Sequence, residues 1–309
     1  MEADIDTRNW TPVLDFQFVS DLHLEFYDCT HSKKWPKVPA LASLLIIAGD
    51  LGRVNQPQYF AFLKDVSARF RHVILVPGNH EYYQAHKPTH TINDVDELLK
   101  DMETSLPNVH LLNRKSVIID NVKFIGATLW TGCPPEHRQT VQSGLNDYQL
   151  IYKDKGTGDD VTRRDWKKVT VDDTVDRHRY DLAFIKDEIN NATLPTVVIT
   201  HHCPTREHIA LKYRNEGALN HGYHTPLEDN PEFVFKKPVV AWINGHSHSA
   251  CNFTKTFDGH QVLFLMNCRG YPHEVVEGYS AERIGIIYKS DTDEFKAEET
   301  VSNDEIDDL

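Results

Sequence analysis

The chain has 309 residues, of which 40% are hydrophobic and 26% are charged, and this composition is ordinary for a folded soluble protein. The formal net charge of −13 argues against a nucleic-acid-binding surface, because such binding depends on Lys and Arg side chains that neutralise phosphates. No apolar run approaches the roughly 20 residues of a membrane helix, and the acidic N-terminus lacks the pattern of a secretory signal. The five cysteines form no CxxC pair, which favours reduced thiols. We therefore expect a cytoplasmic protein.

Short β-branched apolar runs predict a series of buried strands, and segments with helical spacing lie between several of them. In chain order we predict strands at 13–19, 44–48, 73–76, 117–119, 123–127, 197–200, 239–243, 262–266 and 284–288, and helices at 58–69, 92–105 and 173–190. The order βαβαβ, followed by strand-rich sequence, indicates an α/β fold with sandwiched sheets. No repeat or low-complexity linker divides the chain, so we predict a single domain over residues 1–309.

Two polar stretches interrupt this pattern. Residues 132–168 lie between strand signals, and we expect this insertion to overhang the site as a cap. Residues 204–238 contain His208, His221 and His224, which we interpret as part of a solvated loop rather than a third metal site. The acidic residues 302–309 predict a solvated C-terminal tail.

Polar motifs follow directly after the predicted strands. They are Asp21-Leu22-His23, Gly49-Asp50, Gly78-Asn79-His80-Glu81, His201-His202 and Gly245-His246-Ser247-His248. Because α/β sheets gather their ligands at the carboxyl ends of strands, we expect these side chains to converge on one centre. Nitrogen and oxygen donors without thiolates suit Mn²⁺, Fe²⁺ or Zn²⁺. Seven of these side chains, named below, are candidate ligands. Seven ligands are too many for one ion, and they match two ions that share a bridging carboxylate.

In this order, the motifs resemble the signature of the calcineurin-like metallophosphoesterase superfamily, and the resemblance extends from Asp21 to His248. It implies two mixed β-sheets packed as a sandwich, helices on both outer faces and a site at the carboxyl ends of the strands. It also implies two divalent metal ions and hydrolysis of a phosphoester by a metal-bound hydroxide. The implied ligands are Asp21, His23, Asp50 and His248 for one ion and Asp50, Asn79, His201 and His246 for the other.

His80 matches the family's histidine that contacts the phosphate and protonates the leaving group. The usual family pattern carries a second Asp shortly after Gly-Asp, whereas here Asp50 is followed by Leu, Gly and Arg. Arg53 is therefore a candidate phosphate contact, and Arg269, which follows a predicted strand, is another.

His201 and His202 compete for one ligand position, because adjacent residues of an extended chain point in opposite directions. We favour His201, which lies nearest the strand end, as the ligand. We assign His202 a supporting or substrate-contacting role.

The leading hypothesis is a phosphodiesterase or phosphomonoesterase that acts on a small or nucleotide-like substrate. One alternative is a non-catalytic scaffold that keeps the fold, and the complete ligand set with His80 argues against it. Another is a Ser/Thr protein phosphatase. The residues that follow His80, Glu-Tyr-Tyr-Gln-Ala, resemble small bacterial and phage-type phosphoesterases more closely than the Arg-rich protein phosphatases.

Overall fold

In the described part of the chain, two six-stranded sheets lie face to face, as the resemblance implies. The computed structural model describes residues 8–28, 32–85, 88–155, 166–209, 213, 215 and 217–300. Its strands are β1 (Trp10–Val19), β2 (Leu44–Ala48), β3 (His72–Val76), β4 (Val109–Leu111), β5 (Lys115–Ile119), β6 (Val122–Ala127), β7 (Tyr152–Lys153), β8 (Lys167–Lys168), β9 (Thr196–Thr200), β10 (Val239–Asn244), β11 (Ala250–Phe257), β12 (His260–Asn267), β13 (Ile284–Ser290) and β14 (Phe295–Thr300). Its helices are α1 (Pro57–Ser67), α2 (Ile92–Ser105), α3 (Arg138–Gly144), α4 (Asp147–Leu150) and α5 (Val171–Asn190).

Both sheets are mixed. The first has the order β14-β13-β1-β2-β3-β4. Its strands β1 to β4 run parallel, β13 pairs antiparallel with β1, and β14 pairs antiparallel with β13. The second has the order β11-β12-β10-β9-β6-β5, with a parallel centre and antiparallel strands at both edges. A parallel bridge between Ser20 and Cys268 connects the carboxyl ends of β1 and β12. The ends of the central strands of both sheets therefore meet along one edge.

The hydrophobic core has three layers, because each sheet is covered on both faces. Phe16 and Ile46 of the first sheet pack against Phe124 and Ile199 of the second. The outer face of the first sheet is covered by α1 and α2, and the outer face of the second by α5. All five residues of β2 are therefore buried, as expected for a parallel strand with helices and a second sheet on its two faces. This confirms the predicted fold class.

The elements that the prediction missed are short or polar. Strands β11 and β14 lie at sheet edges and alternate between half-buried and exposed residues, so neither contains a continuous apolar run. Helix α5 begins two residues before the predicted start, because Thr170 and Asp173 form a capping box. The predicted insertion contains α3, α4, β7 and β8, and its residues 156–165 lie outside the described residues, as does the predicted tail. None of the described helices combines the length and hydropathy needed to cross a membrane.

Candidate metal centre

The seven predicted ligands all lie within four residues of the carboxyl end of a parallel strand. Asp21 and His23 follow β1, Asp50 follows β2, Asn79 follows β3, His201 follows β9, and His246 and His248 follow β10. Five of them, Asp21, His23, Asp50, His246 and His248, have positive φ angles between 47° and 76°. This left-handed conformation is uncommon for residues other than glycine, and it turns the chain sharply after each strand. The side chains are thereby directed back toward the sheet edge.

Close approach between the loops depends on glycines and on one buried carboxylate. A Cβ atom at Gly49 would lie 2.2 Å from Nδ1 of His201, and one at Gly78 would lie 2.3 Å from Oδ1 of Asp50. The Glu81 carboxylate accepts hydrogen bonds from the backbone N–H groups of Gly78, Asp50 and Leu51 at 2.7 to 3.1 Å. Glu81 therefore holds the loops after β2 and β3 together.

One group of donor atoms surrounds Nε2 of His201. This nitrogen lies 3.0 Å from Oδ1 of Asn79, 3.1 Å from Nδ1 of His246 and 3.3 Å from Oδ2 of Asp50. The Nδ1–H of His201 donates to the Ala48 carbonyl oxygen at 3.0 Å, which leaves Nε2 to face the other three atoms. Burial lowers the pKa of His201, but the Asp50 carboxylate outweighs burial and raises this pKa to about 10, so Nε2 carries a proton when no metal ion is bound. This single proton cannot satisfy all three neighbouring atoms. Ligands that share a divalent ion lie about 3 Å apart, so this donor set fits a metal ion.

A second group lies on the other side of Asp50. Nε2 of His23 is 3.0 Å from Nε2 of His248, which is 3.5 Å from Oδ1 of Asp21. Oδ2 of Asp50 lies 4.0 Å from Nε2 of His23, so this carboxylate borders both groups. Among the described residues, both groups have the spacing of a metal site, as does a third that combines His23, Asp50 and His80. The structure thus brings all seven predicted ligands together in two adjoining clusters.

His80 is buried and lines the cavity, with one ring nitrogen hydrogen-bonded to a carboxylate and the other facing the cavity. Its Nδ1–H donates to Oε1 of Glu25 at 2.7 Å, and its Nε2 lies 3.4 Å from the Tyr271 hydroxyl. Burial lowers the pKa of His80, but the charges of Asp50 and Glu25 outweigh burial and raise this pKa above its ordinary value. The raised pKa favours the charged form of the ring, in which Nε2 also carries a proton.

Three carboxylates that the sequence analysis did not single out orient the predicted site residues. Oε1 of Glu25 accepts from both His80 and His23. Oδ1 of Asp147, in α4, accepts from Nδ2 of Asn79 at 2.8 Å and from the Tyr83 hydroxyl at 2.5 Å. Oε2 of Glu274 accepts from Nδ1 of His248 and from the backbone N–H of Tyr271. For Glu25, the available signal was the continued alternation of Asp21-Leu22-His23-Leu24-Glu25; Asp147 and Glu274 have no such local signal.

The site opens into a cavity of about 220 Å³. Its walls combine candidate ligands with aromatic and apolar side chains and with residues of the predicted insertion. The lining residues are Asp50, Asn79, His80, Tyr83, Gly144, Leu145, Asn146, Asp147, Tyr213, Tyr223, His246, Ser247, His248, Tyr271 and Glu274. Part of 132–168 thus forms one wall, and the role of the whole segment as a cap stays a prediction.

The predicted supporting residue His202 does not line the cavity. His202 is buried between Trp130 and His246, with ring centroids at 5.3 Å and 4.2 Å. Burial, followed by the neighbouring His201, lowers the pKa of His202 to about 3, so this ring is neutral. Arg53 and Arg269 are not among the described residues that line the cavity. The Arg269 guanidinium lies 5.3 Å from the centre of the Tyr27 ring. Their role as phosphate contacts stays a prediction.

Tyr271, two residues after Arg269, lines the cavity. Its ring packs against His23 and His248, with centroid distances of 4.4 Å and 4.6 Å.

The loop histidines of 204–238 do not join the site: among the described residues, no metal-binding group includes His208, His221 or His224.

A family model for calcineurin-like phosphoesterases matches residues 15–250. The chain is 30% identical over 271 residues to an uncharacterised protein of Acanthamoeba polyphaga mimivirus, and the match covers 84% of this chain and 91% of that protein. Among solved structures, phosphopantetheinyl hydrolase from Mycobacterium tuberculosis aligns with a TM-score of 0.60 at 19% identity, covering 84% of this chain and 91% of that one. At this level of identity, the similarity shows a shared fold.

Proposed function

Since the chain belongs to the calcineurin-like phosphoesterase family, we propose that it hydrolyses a phosphoester by means of two divalent metal ions. The observation that carries this proposal is the convergence of two donor sets on the Asp50 carboxylate. Asp21, His23 and His248 would hold one ion, Asn79, His201 and His246 the other, and Asp50 would bridge them. When bound, ions at such a centre stabilise charge on phosphate oxygens and activate water near neutral pH.

The protein's own residues supply the proton and the walls of the site. Nε2 of His80 donates its proton to the leaving oxygen, while Nδ1 stays bound to Glu25. The Tyr271 hydroxyl, 3.4 Å from this nitrogen, lies where a phosphoester oxygen would reach it. Leu145, Tyr213 and Tyr223 form an apolar and aromatic wall, which favours a small substrate with an apolar or planar group.

We place both phosphodiesters and phosphomonoesters, including nucleotides, among the candidate substrates. The hydrolase from M. tuberculosis is named for a phosphopantetheinyl group, so a phosphopantetheinyl ester belongs in the same screen. The proposed compartment is the cytoplasm, because the described cysteines Cys133, Cys203, Cys251 and Cys268 are free thiols. The scaffold alternative is disfavoured because such a protein has no need of a proton donor held beside a complete donor set.

The test is hydrolysis by protein that has been stripped with a chelator and reloaded with Mn²⁺, Fe²⁺ or Zn²⁺. Substrates are an aryl phosphomonoester, a bis(aryl) phosphodiester, nucleotides and a phosphopantetheinyl ester. We expect two ions per chain by elemental analysis and metal-dependent turnover of at least one ester. Saturation at a single ion would contradict the two-metal arrangement. Full loading without turnover of any ester would favour the scaffold.

A further inference from the structure

The Glu25 side chain serves two histidines that the motif assigns to different tasks. Glu25 lies in a short 3₁₀ turn, Leu24–Phe26, directly after the β1 loop, and its side chain is only 1% exposed. We infer that Glu25 is a positioning residue that couples the proton donor His80 to the candidate metal ligand His23. This inference rests on the proposed function and extends it to a residue outside the motifs.

One oxygen atom of Glu25 accepts hydrogen bonds from both the His80 and the His23 ring. Oε1 of Glu25 accepts from Nδ1 of His80 at 2.7 Å and from Nδ1 of His23 at 3.1 Å. The two imidazole rings meet edge to face, with centroids 4.4 Å apart and planes at 72°. Because each Nδ1 carries the hydrogen bond to Glu25, each Nε2 is left for the site. Nε2 of His23 then faces His248, and Nε2 of His80 faces the cavity.

The loop after β2 leaves room for the Glu25 side chain. In this loop, Leu51 is fully buried in the core. At Gly52, an added Cβ atom would lie 3.1 Å from Oε2 of Glu25 and 3.1 Å from Cβ of Leu24. The Glu25 carboxylate therefore occupies the space into which a side chain at position 52 would extend. The carboxylate that accepts from His80 thus comes from the loop after β1.

The chemical consequence follows from the charge of Glu25. A carboxylate that accepts from Nδ1 of a ligating histidine fixes the tautomer and makes the other nitrogen a stronger ligand, and its loss lowers metal affinity or activity about 10- to 100-fold. A carboxylate that accepts from a histidine acid stabilises the charged ring and directs its remaining proton. Since one oxygen does both for His23 and His80, metal binding and leaving-group protonation should weaken together when it is changed.

The experiment compares Glu25→Gln with Glu274→Gln. Glu274 is a matched control, because it also accepts from Nδ1 of a candidate ligand, His248, whereas Glu25 is the carboxylate that accepts from Nδ1 of His80. We expect both variants to bind Mn²⁺ about 10- to 100-fold more weakly. At saturating Mn²⁺, Glu25→Gln should slow an alkyl phosphodiester more than an activated aryl one, and Glu274→Gln should slow both by one factor. Equal slowing of the two esters by Glu25→Gln would overturn the inference.

A second readout does not depend on turnover. In Zn²⁺-loaded protein, the hydrogen-bonded Nδ1–H protons should give downfield ¹H resonances, which His23→Ala, His80→Ala and His248→Ala assign. Glu25→Gln should shift the resonances of His23 and His80 together and leave that of His248 in place. A shift confined to one ring would overturn the coupling. If the wild type hydrolysed no ester, the proposed function would fail while these spectra still decided the role of Glu25.

Stability controls keep the comparison valid. Glu25→Asp keeps the charge and shortens the side chain by one methylene. If Glu25→Gln does not fold, the ester rates and the ¹H resonances are measured on Glu25→Asp instead. In a His80→Ala background, Glu25→Gln should no longer alter the ratio of alkyl to aryl rates, because the proton donor is gone. Persistence of that effect without His80 would assign Glu25 a role other than positioning it.

Discussion

Replacing Asp147 by Ala should remove an acceptor that fixes both a candidate metal ligand and a tyrosine. The Asp147 carboxylate is buried and accepts from the Asn79 amide and the Tyr83 hydroxyl. In the variant, the Asn79 amide can still donate to the Tyr83 oxygen, 3.1 Å away, but the Tyr83 hydroxyl loses its acceptor. The Asn79 side chain would then be free to rotate away from His201.

The size of the effect follows from these contacts. Hydrogen bonds to a charged group contribute about 1.5 to 3 kcal/mol each, and the burial that raises the pKa of Asp147 offsets part of this gain. We expect the free energy of unfolding of the metal-free protein to fall by about 2 to 4 kcal/mol. If metal affinity also falls about 10- to 100-fold, the metal-saturated protein loses about 1.4 to 2.7 kcal/mol more.

Urea denaturation with a chelator and with saturating Mn²⁺ measures both terms. Asp96→Ala is a matched control, because Asp96 accepts from the Tyr82 hydroxyl at 2.8 Å and from the Asn113 amide at 3.0 Å, and neither residue is a candidate ligand. Asp96→Ala should lower stability equally with and without metal. If Asp147→Ala behaved in the same way, the orientation of Asn79 by Asp147 would be refuted.

Three further predictions concern other parts of the chain. Asp50→Ala should lose both ions together with activity, whereas His80→Ala should keep them and slow hydrolysis about 10²- to 10⁴-fold; elemental analysis beside alkyl and aryl ester rates separates the two, and loss of an ion from His80→Ala would make His80 a ligand. Leu145→Ala should change the relative rates on bulky and small esters, and unchanged ratios would remove this wall from substrate choice. Burial lowers the pKa of His178 to about 4, so as pH falls the unfolded chain binds a proton at this residue before the folded chain does. The free energy of unfolding should therefore fall by up to about 3 kcal/mol as pH drops from 6.5 to 4. In His178→Gln, the free energy of unfolding should depend less steeply on pH across this range, and an unchanged dependence would contradict the role given to His178.

The central strands and the ligand motifs were predictable because their signals are local. Strand β2 is a continuous apolar run that is buried on both faces, and a Gly-Asp pair follows it directly. The edge strand β14 has a charged outer face and no such run, so its pairing with β13 depends on the rest of the sheet. Local patterns therefore identify the interior of a sheet better than its edges.

The orienting carboxylates were not predictable in the same way, because hydrogen bonding across the fold selects them. Asp147 lies 68 residues from Asn79 and reaches it only after α4 packs against the site. Arg269 and Tyr271 lie on one loop, and the backbone N–H of Tyr271 is held by Glu274, which places Tyr271 in the cavity wall. No spacing in the sequence distinguishes the Asp147–Asn79 and Glu274–Tyr271 pairs from other buried polar groups.

The left-handed backbone at five predicted ligands has an evolutionary consequence. A residue other than glycine in this conformation is destabilised by roughly 1 kcal/mol or more. Summed over Asp21, His23, Asp50, His246 and His248, this penalty is comparable to the whole net stability of many folded domains, which is about 5 to 15 kcal/mol. Substitution of any of them by glycine would relax the backbone and remove a donor atom. A lineage released from selection for activity, or a laboratory selection for heat resistance of the metal-free protein, should therefore lose its metal-binding residues early, because at these positions the stability of the metal-free fold and metal binding favour different amino acids.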